Sequence, residues 1–421
     1  MHVKVRQTCR LCGSKSLTPI LNLGPQLLAS AFASKENQDF LPLRKVPLEL
    51  VRCNPELDEN ACGLVQLRHT FPSDIMYTDY WYASGVNQTM RDALADITTK
   101  AKQFVNIEKG DIAVDIGCND GTLLKSYKNS ALDLIGFDPA KNFVGVEGEG
   151  FSRINDYFNK HSYVAARGVK KAKIVTSIAM FYDLEDPISF TQDIADILDE
   201  NGVWILQMAD LPNMLRNNMF DNICHEHLTF YHMAPIEYLL KRCGMKLVDV
   251  EMNFVNGSSY RFYIRKAVGS EPTPDALKRI AKVRFEEFNL ALDTDTPYQK
   301  FKDNIERNKN DLFFFINQER AKGKKVFVYG ASTKGNVLLQ YCDLNEEAIP
   351  YAAERNPRKW GTRTLGSNIP IISEEDARAL KPDYFLVLPY HFLDEMLVRE
   401  KEFIDRGGKF IVPVPVVKLV P

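Results

Sequence analysis

No stretch of this 421-residue sequence approaches the ~18 consecutive apolar residues of a membrane-crossing helix. Charge of either sign is not in excess: 53 Lys and Arg stand against 55 Asp and Glu, a net charge of -2. That balance gives no electrostatic case for nucleic acid or an anionic membrane as a partner. The first residues, MHVKVRQTCRLCGS, lack the apolar core of a signal peptide, so the expected compartment is the cytoplasm. Cysteine is sparse, with 8 residues, and in a reducing compartment metal binding or burial is expected of it rather than disulfides. What is present is ordinary for a globular protein, 45% hydrophobic and 26% charged residues. The length calls for two or three domains rather than one core. A monomer or weak dimer is expected.

The chain is organised around residues 111–138, DIAVDIGCNDGTLLKSYKNSALDLIGFD. An apolar strand, Ile112–Ile116, runs into the turn Gly117-Cys118-Asn119-Asp120-Gly121, a helical stretch begins at Thr122, and a second strand ends at Asp138. This is the place where an open α/β sheet holds an adenosine-bearing cofactor, with the closing acid free to accept from a ribose diol. A dinucleotide fold uses G-x-G-x-x-G to seat a pyrophosphate on a helix N-terminus. Here Asn119 and Asp120 lie between the glycines and Asp115 precedes them. Acids repel a pyrophosphate but suit a cationic sulfonium, which points to S-adenosylmethionine. Asp115, Gly117, Cys118, Asn119, Gly121 and Asp138 are the candidate cofactor residues of this stretch. Asp156 and Tyr157, where a third strand would turn toward an adenine ring, and Met180, just after a buried strand at 174–178, complete the set.

Before this core, Cys9-Arg10-Leu11-Cys12-Gly13 forms a thiolate knuckle, and Cys53 and Cys62 supply a second, more widely spaced pair. Four thiolates fit a tetrahedral structural zinc, although iron or four unligated cysteines remain open from the spacing. Tyr77, Tyr80, Trp81 and Tyr82 then form an aromatic cluster, which either lines a lid or packs two units together. From 109 to about 265 strands alternate with helices, implying a parallel core with crossovers. After its fourth strand comes Phe-Asp-Asn-Ile-Cys-His-Glu-His-Leu-Thr-Phe-Tyr-His, residues 220–232, with three of the chain's 7 histidines. Histidine is poised to exchange protons near neutral pH and an adjacent acid tunes it, but H-E-H is not the one-turn spacing of a zinc protease helix. Residues 270–322 read as a helical connector. A second glycine turn follows, Gly330-Ala331-Ser332-Thr333-Lys334-Gly335-Asn336, an anion seat that fails the P-loop pattern because its lysine precedes the second glycine. Strands near 349–352, 384–388 and 409–412 complete a second Rossmann-like unit.

The CRxCG knuckle with a later CGLVQL, the D-I-G-C-N-D-G turn, and HEHL followed by the Gly-Ala-x-x-Lys-Gly-Asn turn occur in a fixed order. Together they resemble the nucleotide-sugar C-methyltransferases, the C-3′ enzymes of branched deoxysugar biosynthesis, over residues 9–415. The resemblance implies an α/β protein with a class I S-adenosylmethionine methyltransferase core, a small zinc-binding N-terminal domain and a C-terminal Rossmann-like domain. The expected boundaries are 1–73, 74–268 and 269–421. It implies a nucleotide-linked, dTDP-type 4-keto-6-deoxy sugar as acceptor, with Cys9, Cys12, Cys53 and Cys62 on zinc. His225 is then the base, Glu226 orients it or a substrate hydroxyl, His227 shapes the pocket, and Tyr80 or Tyr82 donates to the keto oxygen. Lys334, Asn336 and Tyr390 face the nucleotide-sugar. Two positions depart from the family: Cys224 stands where a tyrosine or small residue is common, and Asp183 follows a strand where a histidine is common. O-methylation of a sugar hydroxyl and a non-catalytic nucleotide-sugar binding protein are the alternatives.

Overall fold

A computed structural model describes residues 3–33, 44–77, 82–127, 131–145, 150–254 and 257–421. Tyr80 and Trp81, two members of the aromatic cluster, lie outside the described residues. Three sheets carry the chain. The first is antiparallel, in the spatial order Leu17–Gln26, Val46–Cys53, Val65–Leu67, Thr229–Phe230. Its last strand belongs to the histidine-rich segment, which lies about 160 residues downstream of its neighbour in the ladder and returns to close this sheet's edge.

The second sheet has seven strands, ordered Ser152–Ile154, Asp133–Phe137, Ile112–Ile116, Ala172–Ile178, Leu198–Ala209, Ser259–Lys266, Met245–Asn253. The first five are parallel, as the strand and helix alternation implies. The last two form an antiparallel hairpin, a departure from an all-parallel core that follows from the short loop joining them. Ile112–Ile116 is buried along its whole length because helices cover both faces of the sheet. The strand order reverses there, so the crevice at its C-terminal end is where a ligand of an open α/β sheet binds. The helix after the glycine turn is a single turn, Thr122–Lys125, shorter than the sequence suggests.

The third sheet is ordered Ile371–Ser373, Ala352–Glu354, Val326–Tyr329, Tyr384–Val387, Lys409–Val412, Lys418–Val420, with only the last strand antiparallel. The connector is two helices, Pro274–Phe288 and the 26-residue Thr296–Ala321. The long helix is amphipathic at 3.6-residue spacing: Phe301, Ile305, Leu312 and Ile316 are buried in one apolar cluster with Leu48 and Leu50 of the first sheet, Val328 of the third and Leu338 of the helix Thr333–Tyr341. Arg52, fully buried, donates to the Leu292 carbonyl (3.3 Å) and pairs with Asp295 (2.6 Å), which fixes the connector against the first sheet. No helix among the described residues is long and apolar enough to cross a membrane.

Candidate active site

The four N-terminal cysteines converge. Their sulfurs all lie within 4.8 Å of one another, with Cys9 Sγ 3.5 Å from Cys62 Sγ and Cys12 Sγ 3.4 Å from Cys53 Sγ. Four thiols this close cannot all ionise without a cation. Sharing protons with its neighbours lowers the Cys12 thiol and raises that of Cys62. A tetrahedral all-sulfur donor set of this kind fits zinc and leaves no open position for chemistry.

The glycine turn sits at the C-terminal edge of the central sheet. Asp115, buried in the first strand, accepts from Thr176 Oγ1 (2.6 Å), and burial pushes its carboxyl up to about 7. Gly117 lies against Met180, so close that a Cβ there would be 3.1 Å from Met180 Cγ. Cys118 is buried beside Gly136 of the next strand. Asn119, in the left-handed region at φ 52, donates its backbone N–H to Asp138 Oδ2 (2.8 Å). Asn119 and Asp120 also hold the chain that enters from the aromatic segment: Asn119 Oδ1 accepts from Ser84 N (2.9 Å), and Asp120 Oδ2 accepts from Gly85 N (2.7 Å). Asp138 ends the second strand, accepts from Ala140 N (2.8 Å) and is 3.3 Å from Arg153. Asp156 and Tyr157 stand exposed beyond the third strand, with Tyr157 N donating to Asp156 Oδ1 (2.7 Å). The donor set fits S-adenosylmethionine. It has carboxylates at the crevice and no lysine in the turn, the chemistry that receives a diol and a sulfonium rather than a pyrophosphate.

Facing this crevice is the 220–232 segment, fixed at its C-terminal end. Leu67 N donates to the Leu228 carbonyl (2.9 Å) and Leu211 N to the Tyr231 carbonyl (2.9 Å), so four residues stitch the first sheet to the end of the fifth central strand. The two histidines have different surroundings. His225 Nε2 is 3.1 Å from the Val46 carbonyl, which only accepts, so Nε2 carries the proton and Nδ1 the lone pair. That Nδ1 is shielded from solvent and has no partner among the described residues, beside the Phe71 ring at 5.8 Å. Burial, with a smaller contribution from His69, lowers this imidazole to about 4. His227 Nδ1 donates to the Asn222 carbonyl (2.8 Å), leaving Nε2 with the lone pair, and its ring packs on Tyr182 at 4.3 Å. Burial and the charge of Lys334 lower it to about 3. Both rings are therefore neutral near pH 7.

Around His227 are polar groups with unmet valences. Glu226 is buried and raised to about 7 by that burial, and its Oε1 has no partner among the described residues. Asp183, in the turn Phe181–Asp183, is raised well above the usual carboxylate range by burial and by Glu226. Asn222 Oδ1 and His391 Nε2 are likewise without partners among the described residues. Lys334, in the first turn of Thr333–Tyr341, lies near enough to Asp221, His227 and His391 to shift all three. Tyr390 donates to Asp221 Oδ1 (2.8 Å). Asn336 instead faces the interior, where its Nδ2 donates to the Ala29 carbonyl (2.7 Å) and bridges the third sheet to the first unit. Tyr82 is largely exposed, with its phenol raised to about 12 by burial of the hydroxyl end and by Asp120.

The structure thus brings Glu226, His227, Lys334 and Tyr390 to one place, and turns His225 toward the first sheet. Sequence reasoning passed over Tyr182, Asp221, Asn222 and His391 as site residues, placed Tyr77 in an aromatic cluster that either lines a lid or packs two units together, and noted Asp183 only as a departure. The unusual density of ionisable and phenolic residues in 220–232 and 389–391 is the signal that points to them.

These features define an S-adenosylmethionine-dependent methyltransferase. Models of three domains match the chain in order: "Putative zinc binding domain" over residues 9–77, "Methyltransferase domain" over 82–250 and "C-methyltransferase C-terminal domain" over 254–415. The C-methyltransferase NovU of Streptomyces niveus is 28% identical over 411 residues, covering 97% of this chain and 95% of that one. In domain content and order, and along nearly its whole length, the chain is similar to C-methyltransferases of this three-domain kind. Among solved structures, the magnesium protoporphyrin IX methyltransferase ChlM of Synechocystis PCC 6803 with bound S-adenosylmethionine is 15% identical. The match covers 42% of this chain and 79% of that one, with a TM-score of 0.30. The plantazolicin methyltransferase BpumL with S-adenosylhomocysteine is 13% identical, over 42% of this chain and 84% of that one, at a TM-score of 0.33.

Proposed function

We propose that this C-methyltransferase acts on a nucleotide-linked 4-keto-6-deoxy sugar of the dTDP type and methylates the carbon beside the ketone, C-3′. The observation that carries this reading is the cluster of Glu226, His227, Asp183 and Tyr182 at the cofactor edge, closed on its far side by Lys334 and Tyr390 of the C-terminal unit. Carbon next to a ketone becomes a nucleophile only after losing a proton, so the reaction needs a neutral base and donors to the enolate oxygen. His227 is the better placed base, because its ring packs on Tyr182 and lies in the field of Lys334, with Nδ1 committed to Asn222 and the lone pair left on Nε2; His225, the sequence's first choice, is held against Val46. The Asn222 carbonyl fixes the tautomer and steadies the ring once it is protonated. Lys334, reaching in from the opposite unit, is suited to the diphosphate that links nucleotide to sugar. When bound, S-adenosylmethionine supplies an electrophilic methyl. The chain's part is to seat it at Gly117–Gly121 and Asp138 and to hold the nucleophilic carbon in line. On this reading residues 1–73, 74–268 and 269–421 are a zinc domain, a methyl-transfer domain and a nucleotide-sugar clamp.

The test is mass spectrometry of the purified protein with S-adenosylmethionine and a panel of nucleotide-linked 4-keto-6-deoxy sugars. One added methyl, located on carbon and kept after borohydride reduction, is the expected result. No gain on any sugar, with cofactor binding intact by calorimetry, sinks the acceptor assignment.

A further inference from the structure

Asp183 stands where the resemblance leads one to expect a histidine, and the structure gives it company. It ends the single turn Phe181–Asp183, three residues beyond Met180, which touches Gly117 of the cofactor turn. That turn is clamped to the histidine segment in three places: Thr229 Oγ1 donates to the Tyr182 carbonyl (3.1 Å), Tyr182 packs on His227, and the Tyr77 hydroxyl reaches both the Asp183 carboxyl and, at 3.4 Å, the Glu226 carbonyl. Asp183 Oδ1 and Glu226 Oε1 are both shielded from solvent, and neither has a hydrogen-bond partner among the described residues. Ser30 donates to Glu226, and no cation pairs with either carboxyl among the described residues.

We propose that Asp183 and Glu226 hold a single proton between the two of them at neutral pH, carried on Asp183 and not bridging to Glu226, and that this proton is donated in a hydrogen bond to the carbonyl oxygen of the bound keto acceptor. Two buried carboxylates with no cation beside them among the described residues do not both ionise readily, so one stays a neutral acid and keeps a donor in a site poor in water. Burial and the neighbouring Glu226 favour Asp183 as the protonated member. The donor directly follows Tyr182, whose ring packs on His227. As the carbon–hydrogen bond breaks toward His227 Nε2, its electron pair moves onto the ketone oxygen, and the hydrogen bond from Asp183 to that oxygen strengthens. When the carbon bonds to the transferred methyl, the electron pair returns and the carbonyl re-forms. The proton stays on Asp183 throughout. The groups facing the pair are Tyr77 from the segment before the cofactor core, Tyr82 beside the turn, Tyr182 on the same turn, and Cys224, His227 and, behind it, Lys334.

The donor role rests on the keto-acceptor reading, whereas the single proton is read without any sugar. Infrared spectra of the free protein in light and heavy water should show a neutral carboxyl band at pH 7. Asp183→Asn should remove the part of the band that persists above pH 8, leaving near neutrality only what Asp115 and Glu226, each raised to about 7, contribute. Glu226→Gln should keep that part at pH 6 and move its disappearance to lower pH than in the wild type. No such band at pH 7, or one unchanged in both variants, overturns the pairing. On the sugar that is methylated, Asp183→Ala should slow solvent-deuterium exchange at the reacting carbon on the order of a hundredfold. Asp183→Asn, which keeps a donor, should slow it less than tenfold. Equal, small losses in the two variants overturn the donor role while leaving C-methylation intact.

Discussion

At the scale of single residues, the two histidines of one tripeptide are set apart by a carbonyl each. His225 spends its N–H on Val46 and lies among apolar groups; His227 spends its N–H on Asn222 and meets Tyr182 and the field of Lys334. His227→Gln should lower exchange and methyl transfer by roughly 10²–10⁴, the usual worth of a positioned base, with cofactor affinity unchanged in calorimetry. His225→Gln should cost under tenfold in rate and about 1 kcal/mol of stability, the worth of its bond to Val46. The reverse ranking would restore His225 as the base. The acid side of the profile follows from the same surroundings. A base lowered to about 3 is deprotonated at pH 5, so exchange should stay level from pH 6.5 down to 5, where an ordinary histidine would already be mostly protonated. Which histidine faces the site was not legible in His-Glu-His itself, because the deciding partners lie in other elements. Val46 is far upstream, and Lys334 is more than a hundred residues downstream.

At the scale of elements, the glycine turn was legible because its chemistry is local: an apolar strand, two glycines and acids in a fixed spacing. Its consequence is testable at Gly121, at φ 75, where a Cβ would sit 2.4 Å from the Phe151 ring. Gly121→Ala should cost about 1–2 kcal/mol for the left-handed backbone alone, more with the clash. It should also weaken S-adenosylmethionine binding, read by calorimetry beside the melting temperature. An unchanged cofactor affinity would separate this turn from the cofactor. Less legible was the role of side chains whose chemistry suits two tasks. Asn336 follows the lysine of an anion-seating turn and reads as a ligand contact, yet the helix phase directs it inward to the Ala29 carbonyl. The short turn at Phe181–Asp183 carried no signal beyond one unexpected aspartate, since its partners come from residues 77 and 226.

At the scale of the whole molecule, the four cysteines reach the reactive segment through the sheet they anchor. Cys53 ends the strand Val46–Cys53, which pairs with Val65–Leu67, which in turn pairs with Thr229–Phe230. Removing zinc with a chelator should therefore abolish methyl transfer although the metal touches no substrate. The central sheet should still bind S-adenosylmethionine, and added zinc should restore turnover. Activity that survives full metal removal would cut this link. The central and C-terminal sheets were anticipated from strand and turn patterns, but the first sheet and the mutual fastening of all three were not. It is made by the apolar face of the long connector helix and by the stitch at 228–231.

That stitch also dictates an order of events during synthesis. While the ribosome is still making the central domain, the first sheet has only three of its strands, and Val65–Leu67 is an open edge with buried-type side chains and unpaired backbone. Its own chain supplies the closing strand only after residue 230 has left the exit tunnel. The nascent protein therefore carries a sticky template for about two-fifths of its translation.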